Sequence, residues 1–391
     1  MRTIVVNKHT PFAVETFSHL GRVIALDTPE VTARTVRNAE ILVVRSETKV
    51  NRDLLEGSAV RFVGTVTIGT DHVDLEYLKA HNITFASAPG SNANAVAEYI
   101  ASALLTWSAR TQEELTGKTI GIVGVGNVGS KVAKVAKALG MEVLLNDPPL
   151  ACKTGDKVYR PLDELMQADV ITLHVPLTMS GNDRTYHLFD HARILRMKQG
   201  ALLINSSRGA VVERGALREA LAQGHLAGAI LDVWEGEPAI DVGLLDLVAL
   251  GTPHIAGHSL DGKLNALRMV YEAACGFADV SSQWQGEGAG EPPGLGRIVV
   301  PEEKAQVEDI LRYAIRQTYD IELDDYLLRQ IAAVPEPQRG AYFAKLRSEY
   351  RTRREFYHRH VDLSPGQTGA LEALTQLGFK ARVKEDVPWT P

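Results

Sequence analysis

Thr119-Ile120-Gly121-Ile122-Val123-Gly124-Val125-Gly126-Asn127-Val128-Gly129 is the stretch that decides the fold. Its first five residues read as a buried strand, and the next six match G-x-G-x-x-G, a pattern that glycine-rich turns produce often enough to be weak alone. The residues that follow give it weight. Val132, Val135, Ala136 and Leu139 fall on one face of a helix, and Lys131, Lys134 and Lys137 on the other. Strand, glycine turn and helix in that order make a dinucleotide site. The glycines permit a tight turn and close approach of a pyrophosphate, whose charge the N–H groups and dipole of the helix N-terminus stabilise. Asp147 stands eighteen residues after Gly129, at the end of the next apolar run. A carboxylate there can accept hydrogen bonds from a ribose diol and repel a 2′-phosphate, so NAD is expected over NADP. The competing reading, a glycine turn in a cofactor-free α/β domain with Asp147 as a helix cap, has less of this context behind it.

Working outward, continuous apolar runs at Glu142–Leu145, Val170–His174, Ala201–Ile204 and Gly228–Leu231 alternate with helical patterns, the signature of a buried parallel sheet. Ile4-Val5-Val6 and Ile41–Val44 open an earlier α/β unit that runs to about residue 90. Between the two, the apolar spacing predicts a bridging helix over Ala95–Trp107. The glycine- and proline-rich residues 283–296 mark a boundary. Beyond it Val307, Ile310, Leu311, Ala314, Ile315 and Thr318 form a helical stripe, and the charged run Arg347 to Arg354 reads as a solvated helix face within a small α+β module. A chain of 391 residues with 45% hydrophobic content can fill two or three cores, consistent with that division. Its net charge of −6 gives no general attraction to nucleic acid or to an anionic membrane. Cys152 and Cys275, the two cysteines, have neither disulfide nor metal-ligand spacing, so no metal site is expected. The opening apolar run is too short for a signal peptide, and no later one reaches membrane-spanning length, so a cytoplasmic protein is expected.

Three segments each end an expected strand: Asn205-Ser206-Ser207-Arg208-Gly209, Asp232-Val233-Trp234-Glu235-Gly236-Glu237-Pro238 and Pro253-His254-Ile255-Ala256-Gly257. Open α/β sheets bind ligands at those carboxyl ends. Oxidation of a secondary alcohol that carries a carboxylate needs a base, a cationic anchor and a hydride acceptor. His254, Arg208 and a nicotinamide meet these needs, and Glu237 would orient the imidazole. Arg208 suits a carboxylate because its guanidinium can give two parallel hydrogen bonds. Taken singly, each residue also fits a plain structural role: an ion-pair partner, a helix-start carboxylate, a loop histidine. His174, His187 and His191 lack such a setting.

Through 124–129, 205–209, 232–238 and 253–257, the chain resembles the D-isomer-specific 2-hydroxyacid dehydrogenases. The resemblance implies catalytic Arg208, Glu237 and His254. It also implies an NAD site of Gly124, Gly126, Asn127, Val128, Gly129, Asp147, Val175, Ser206, Ser207, Asp232 and Gly257, with Asp232 holding the nicotinamide amide. The implied fold is α/β: a Rossmann-type NAD domain over 95–259, a flavodoxin-like substrate domain over 1–94 plus 260–282, a linker at 283–296, and a C-terminal α+β domain over 297–391 that forms a homodimer. Hinges would lie near 90–94 and 257–262.

Within the family, Val44 to Asn51, Gly69 to Asp74, Asp147-Pro148-Pro149, Glu349 to Glu355 and Leu377-Gly378-Phe379 resemble a branch that acts on a phosphorylated four-carbon hydroxy acid. That likeness implies substrate contacts at Ser46, Thr67 and His258. Two positions depart from the branch: His258 stands where tyrosine is usual, and Val175 where threonine is. A phosphoglycerate dehydrogenase would share every cofactor and catalytic residue named, and an NAD(H)-sensing regulator of the same fold is the competing reading of another class.

Overall fold

The computed structural model describes residues 1–284 and 296–384; of the expected linker 283–296, residues 285–295 lie outside the described residues. The chain divides into two compact units. One holds Met1–Asn92 and the described residues from Ser259 to 284, the other Ala93–His258 and the described residues from 296 on.

In the first unit five parallel strands, β1 (Arg2–Asn7), β2 (Gly21–Leu26), β3 (Ile41–Val44), β4 (Phe62–Thr65) and β5 (Thr84–Ala86), lie in the order β2-β1-β3-β4-β5. This is the flavodoxin-like order. Alternation along each strand sends Ile4, Val6, Ile41, Val43 and Phe62 to one face, under Leu267, Val270, Tyr271 and Ala274 of the helix Leu260–Ala278. Val5, Leu42, Val44 and Val63 go to the other, against Leu54, Leu55 and Leu78. Each such side chain contributes about 1.5–3 kcal/mol by leaving water. The helix lies close on the sheet at Gly64, where a Cβ would come within 2.3 Å of Val270 Cγ1. Substituting Gly64 would force that helix outward.

In the second unit β6 (Thr119–Val123), β7 (Glu142–Asn146), β8 (Val170–Leu173), β9 (Leu202–Asn205), β10 (Gly228–Leu231) and β11 (Leu250–Gly251) form a parallel sheet in the order β11-β10-β9-β8-β6-β7. An isolated bridge between Leu145 and Tyr159 takes the place of a further strand beyond β7. The order reverses between β6 and β8, the switch point at which Rossmann-type sheets bind nucleotides. The bridging helix is longer than its apolar spacing predicts, running Ala93–Thr111, and Trp107 packs against Gly228 of β10.

The C-terminal segment builds its own parallel sheet of β12 (Ile298–Val299), β13 (His360–Leu363) and β14 (Lys380–Val383), in the order β12-β13-β14. Its helix Val307–Arg316 buries Ile310, Leu311, Ala314 and Ile315 in a cluster shared with Ile100, Leu104 and Leu105, so the apolar stripe packs within its own chain. Leu328, Ile331 and Phe343 join a second cluster with Ile171, Leu203 and Leu231 of the six-stranded sheet.

The run Arg347 to Arg354 departs from its reading as a solvated helix face. The helix Arg339–Ser348 stops first, and Arg353, Arg354 and Glu355 are 3%, 4% and 2% exposed. Periodicity could not show this, because these charges find partners far away in sequence. Arg353 reaches the carbonyl of Ala95, and Glu355 accepts from Asn94. Among the described residues no helix is long and apolar enough to cross a membrane.

Candidate active site

The dinucleotide turn follows β6 directly. Gly124 has φ +86°, and a Cβ there would sit 2.6 Å from the carbonyl oxygen of His174; at Gly129 it would sit 2.0 Å from that of Gly124. Both positions therefore require glycine on the protein's own account. Gly126, the cap of the helix Asn127–Ala138, differs: no described atom lies within 4 Å of a Cβ built there. The space it keeps open lies over the first N–H groups of the helix, which lack intrahelical acceptors. That cradle fits a pyrophosphate. Lys131, Lys134 and Lys137 are exposed while Val132, Val135, Ala136 and Leu139 are buried, as the spacing predicts. Asp147 ends β7 half-buried. One carboxylate oxygen accepts from the Val125 N–H at 2.8 Å, and the other caps the helix Pro148–Thr154 through the Leu150 N–H at 2.9 Å. The cap belonged to the competing reading of this residue. The bond to Val125 adds that Asp147 also shapes the glycine turn.

After β9, β10 and β11 side chains do the organising. Asp232, 1% exposed, accepts from Thr252 Oγ1 (2.7 Å) and the Ile255 N–H (2.7 Å) on one oxygen and the Ala256 N–H (3.0 Å) on the other. Its own carbonyl takes the His254 N–H at 2.7 Å. These bonds hold His254 at φ +58°, a conformation that costs a non-glycine residue about 1–3 kcal/mol and persists only where its surroundings fix it. Trp234 joins the three segments. Its indole donates to the Thr252 carbonyl at 2.9 Å, its N–H donates to Glu237 Oε2 at 3.1 Å, and its backbone lies so close to Gly209 that a Cβ there would come within 2.0 Å. Neither Trp234 nor Thr252 was singled out from sequence. An indole two residues after Asp232 was the available signal, but its partner lies in another segment.

Glu237 Oε1 is hydrogen-bonded to Nδ1 of His254, so Nε2 is the ring nitrogen left to exchange a proton with a substrate. Burial pushes the Glu237 carboxyl up, yet the hydrogen bond and charge of His254, the Trp234 N–H and the Arg347 charge together hold it below the ordinary glutamate value. Glu237 is thus ionised at neutral pH. Arg208 is half-buried, with Nη1 donating to the Ser207 carbonyl at 2.8 Å and its own carbonyl held by Asn205 Nδ2 at 2.9 Å. Ser207 is buried and bonded to Asn205 Oδ1 through both N–H and hydroxyl.

Two histidines set aside in the sequence reading have definite settings. His174 ends β8 beside Val175 and the glycine turn, with Nε2 2.9 Å from Thr172 Oγ1 and Nδ1 3.5 Å from Ser206 Oγ. Burial drives its pKa down to about 3, so the ring is neutral. His187 pairs with Glu235 at 2.6 Å. Gly257 and His258 close this edge, the His258 ring lying edge-on to Tyr350 at 5.8 Å. Tyr350 donates to Asp324 at 2.8 Å, and burial with that neighbouring carboxylate pushes its hydroxyl pKa far up.

In the first unit, Ser46 is exposed in the turn after β3, and Thr67 follows β4 with its hydroxyl 2.7 Å from Thr65 Oγ1 and 3.0 Å from the Gly69 carbonyl. Ser46 lines an open cavity of about 480 Å³ with Lys49, Asn51, Asp71 and His72. Burial lowers the His72 pKa, offset in part by Asp71 and Glu47.

Residues 91–256 match the family described as D-isomer specific 2-hydroxyacid dehydrogenase, NAD binding domain, and residues 296–378 a Domain of unknown function (DUF3410). The chain is 44% identical over 379 residues to an erythronate-4-phosphate dehydrogenase of Cronobacter sakazakii, covering 97% of this chain and 98% of that protein. It is also 44% identical over 388 residues to one of Salinibacter ruber, with the same coverage. The crystal structure of D-lactate dehydrogenase from Aquifex aeolicus, complexed with NAD and lactic acid, aligns with a TM-score of 0.59 at 29% identity, over 71% of this chain and 96% of that one.

Proposed function

This chain belongs to the D-isomer-specific 2-hydroxyacid dehydrogenases, in the group of erythronate-4-phosphate dehydrogenases, and we propose that it oxidises 4-phospho-D-erythronate at its 2-hydroxyl on the route to pyridoxal 5′-phosphate. The product is (R)-3-hydroxy-2-oxo-4-phosphooxybutanoate. NAD supplies the hydride acceptor when bound. Arg208 grips the substrate carboxylate, and Nε2 of His254 takes the hydroxyl proton as the C2–H bond gives up its electron pair. Glu237 holds the ring and stabilises the imidazolium that forms. The observation that carries this reading is the Glu237–His254 pair, on a loop that Asp232 locks in place.

The NAD contacts follow the same edge. Gly124, Gly126, Asn127, Val128 and Gly129 receive the pyrophosphate. Asp147 has acceptor positions left for the ribose diol, and Val175, Ser206, Ser207 and Gly257 line the approach. Asp232 has three of roughly four acceptor positions filled by its own chain, leaving one for the nicotinamide amide. Ser46 and Thr67 of the substrate domain (1–94 with 260–282), together with His258, contact the substrate. The 297–391 segment forms a homodimer of this cytoplasmic enzyme.

Purified protein with NAD and a 2-oxo acid to reoxidise bound NADH should oxidise 4-phosphoerythronate, read as consumption of the oxo acid. Activity on 3-phosphoglycerate alone would overturn the substrate assignment. Light scattering should give twice the 42.6 kDa chain mass.

A further inference from the structure

The C-terminal segment reaches the catalytic loops at three points. Arg353 Nη2 donates to the carbonyls of Ala95 (2.6 Å) and Ala256 (3.2 Å). Tyr350 lies against His258, and Gly340 lies beside Pro238, next to Glu237. The first contact is unusual in where it falls. Ala256 is two residues after His254, and its N–H is one of those bound by Asp232. Ala95 and Ala256 also stand within three residues of the two places, Asn92/Ala93 and His258/Ser259, where the chain passes between the compact units. One guanidinium thus pins the backbone beside both crossings.

The environment of Arg353 argues against a role in stability alone. It is 3% exposed, its Cζ lies 4.3 Å from the centre of the Tyr319 ring, and Nε and Nη1 are buried without a hydrogen-bond partner among the described residues. Glu98 and Glu355 lend the guanidinium favourable charge interactions, yet an apolar side chain of like volume would fill the same space without the desolvation cost of burying the ions. What an apolar residue could not do is hold two carbonyls from different segments. Neighbouring groups reinforce the same junction. Asn94 bridges Glu98 (3.0 Å) and Glu355 (2.8 Å), Glu98 takes the Phe356 N–H (2.7 Å), and Tyr99 bonds Thr252, which bonds Asp232.

We propose that Arg353 is a positioning residue for the dehydrogenase reaction, holding the 254–257 loop from behind so that His254 Nε2 meets the substrate hydroxyl. The C-terminal segment then serves the chemistry of its own chain. The inference rests on dehydrogenase activity and not on which 2-hydroxy acid is used, so it is tested on whichever acid the unaltered enzyme oxidises.

The test is single-turnover NADH formation in the full-length protein. Arg353→Lys should lower the rate constant at least tenfold at full amplitude, with NADH affinity within about twofold. Partial unfolding would instead reduce amplitude and leave the rate constant. Arg359→Lys, which alters another buried arginine of the segment whose Nη2 donates to the Gln317 carbonyl at 3.3 Å, is the control and should keep the rate. An unchanged rate constant in Arg353→Lys, or an equal loss in Arg359→Lys, overturns the proposal. Should Arg353→Lys not fold, Asn94→Ala loosens the same junction by removing the donor that bridges Glu98 and Glu355. It should slow the step several-fold, and an unchanged rate there overturns the proposal equally.

Discussion

The two ends of the six-stranded sheet's functional edge are built by different means. After β6 the nucleotide turn is a backbone device: Gly124 and Gly129 let chain approach chain, and Gly126 leaves room for a ligand. After β10 and β11 the backbone is held by side chains. Asp232 fixes the loop bearing His254, Trp234 ties three segments together, and Arg353 supports the loop from the C-terminal segment. A backbone device is compact in sequence and can be read there. A side-chain lattice draws its members from distant segments, and each is plain when met alone.

If the halves are separable, damage to one should spare the other. The largest effect expected is from His254→Gln, which removes the proposed proton acceptor and leaves the turn intact. Turnover should fall by roughly 10²–10⁴-fold, while NAD affinity, measured by quenching of protein fluorescence, stays within a factor of about two. A parallel loss of NAD binding would mean that the catalytic lattice also shapes the nucleotide turn.

The glycines sharpen the contrast within the turn itself. Gly126→Ala adds a methyl group where no described atom lies within 4 Å, at a negative φ of −74°. Thermal stability should hold, while NAD affinity drops about tenfold or more because the methyl occupies the pyrophosphate approach. Gly129→Ala meets the Gly124 carbonyl at 2.0 Å. It should destabilise the protein by about 1–3 kcal/mol, seen as a lower denaturant midpoint without any ligand. Equal behaviour of the two variants would remove the distinction between a glycine needed by the fold and one needed by the cofactor.

Much of the architecture was legible for physical reasons. β6 and its glycine turn, the buried runs of β3, β8 and β10, and the helix bridging toward them all follow from local pattern. The placing of Arg208, Glu237 and His254 at the carboxyl edge of the sheet was legible because each follows a strand with a continuous apolar run; their catalytic roles belong to the proposal above. The departure at 347–354 has a matching cause: charge density in sequence signals solvent only when the partners are local, and those of Arg353 and Glu355 lie between 97 and 261 residues away. His174 was passed over because its neutrality comes from burial and its neighbour Ser206 from another strand end. Val175 beside it is an expected cofactor contact, so the strand end carried a signal that was read for one residue and not the next.

His174 lies where the two halves meet, between the glycine turn and Ser206, and it yields the smallest effect. Burial sets its folded pKa near 3 against the ordinary 6.5. The unfolded chain therefore takes up a proton that the folded protein refuses. The contribution is complete above pH 6.5 and is lost as pH falls from 6.5 toward 3. Because His174 as a residue is only half-buried, the loss between pH 7 and 5 should be nearer ~1 kcal/mol than the ~2 kcal/mol of a fully enclosed ring. Denaturant midpoints at the two pH values should differ less in His174→Asn than in the unaltered protein. His72, also lowered by burial, is present in both proteins and cancels from that comparison, and Glu237, held below its ordinary value, contributes only at more acid pH. If the two proteins lose equal stability, His174 is not the group that titrates. If they differ but NAD affinity and turnover at pH 5 are the same in both, the ring supports the fold at this junction without linking the two halves of the edge.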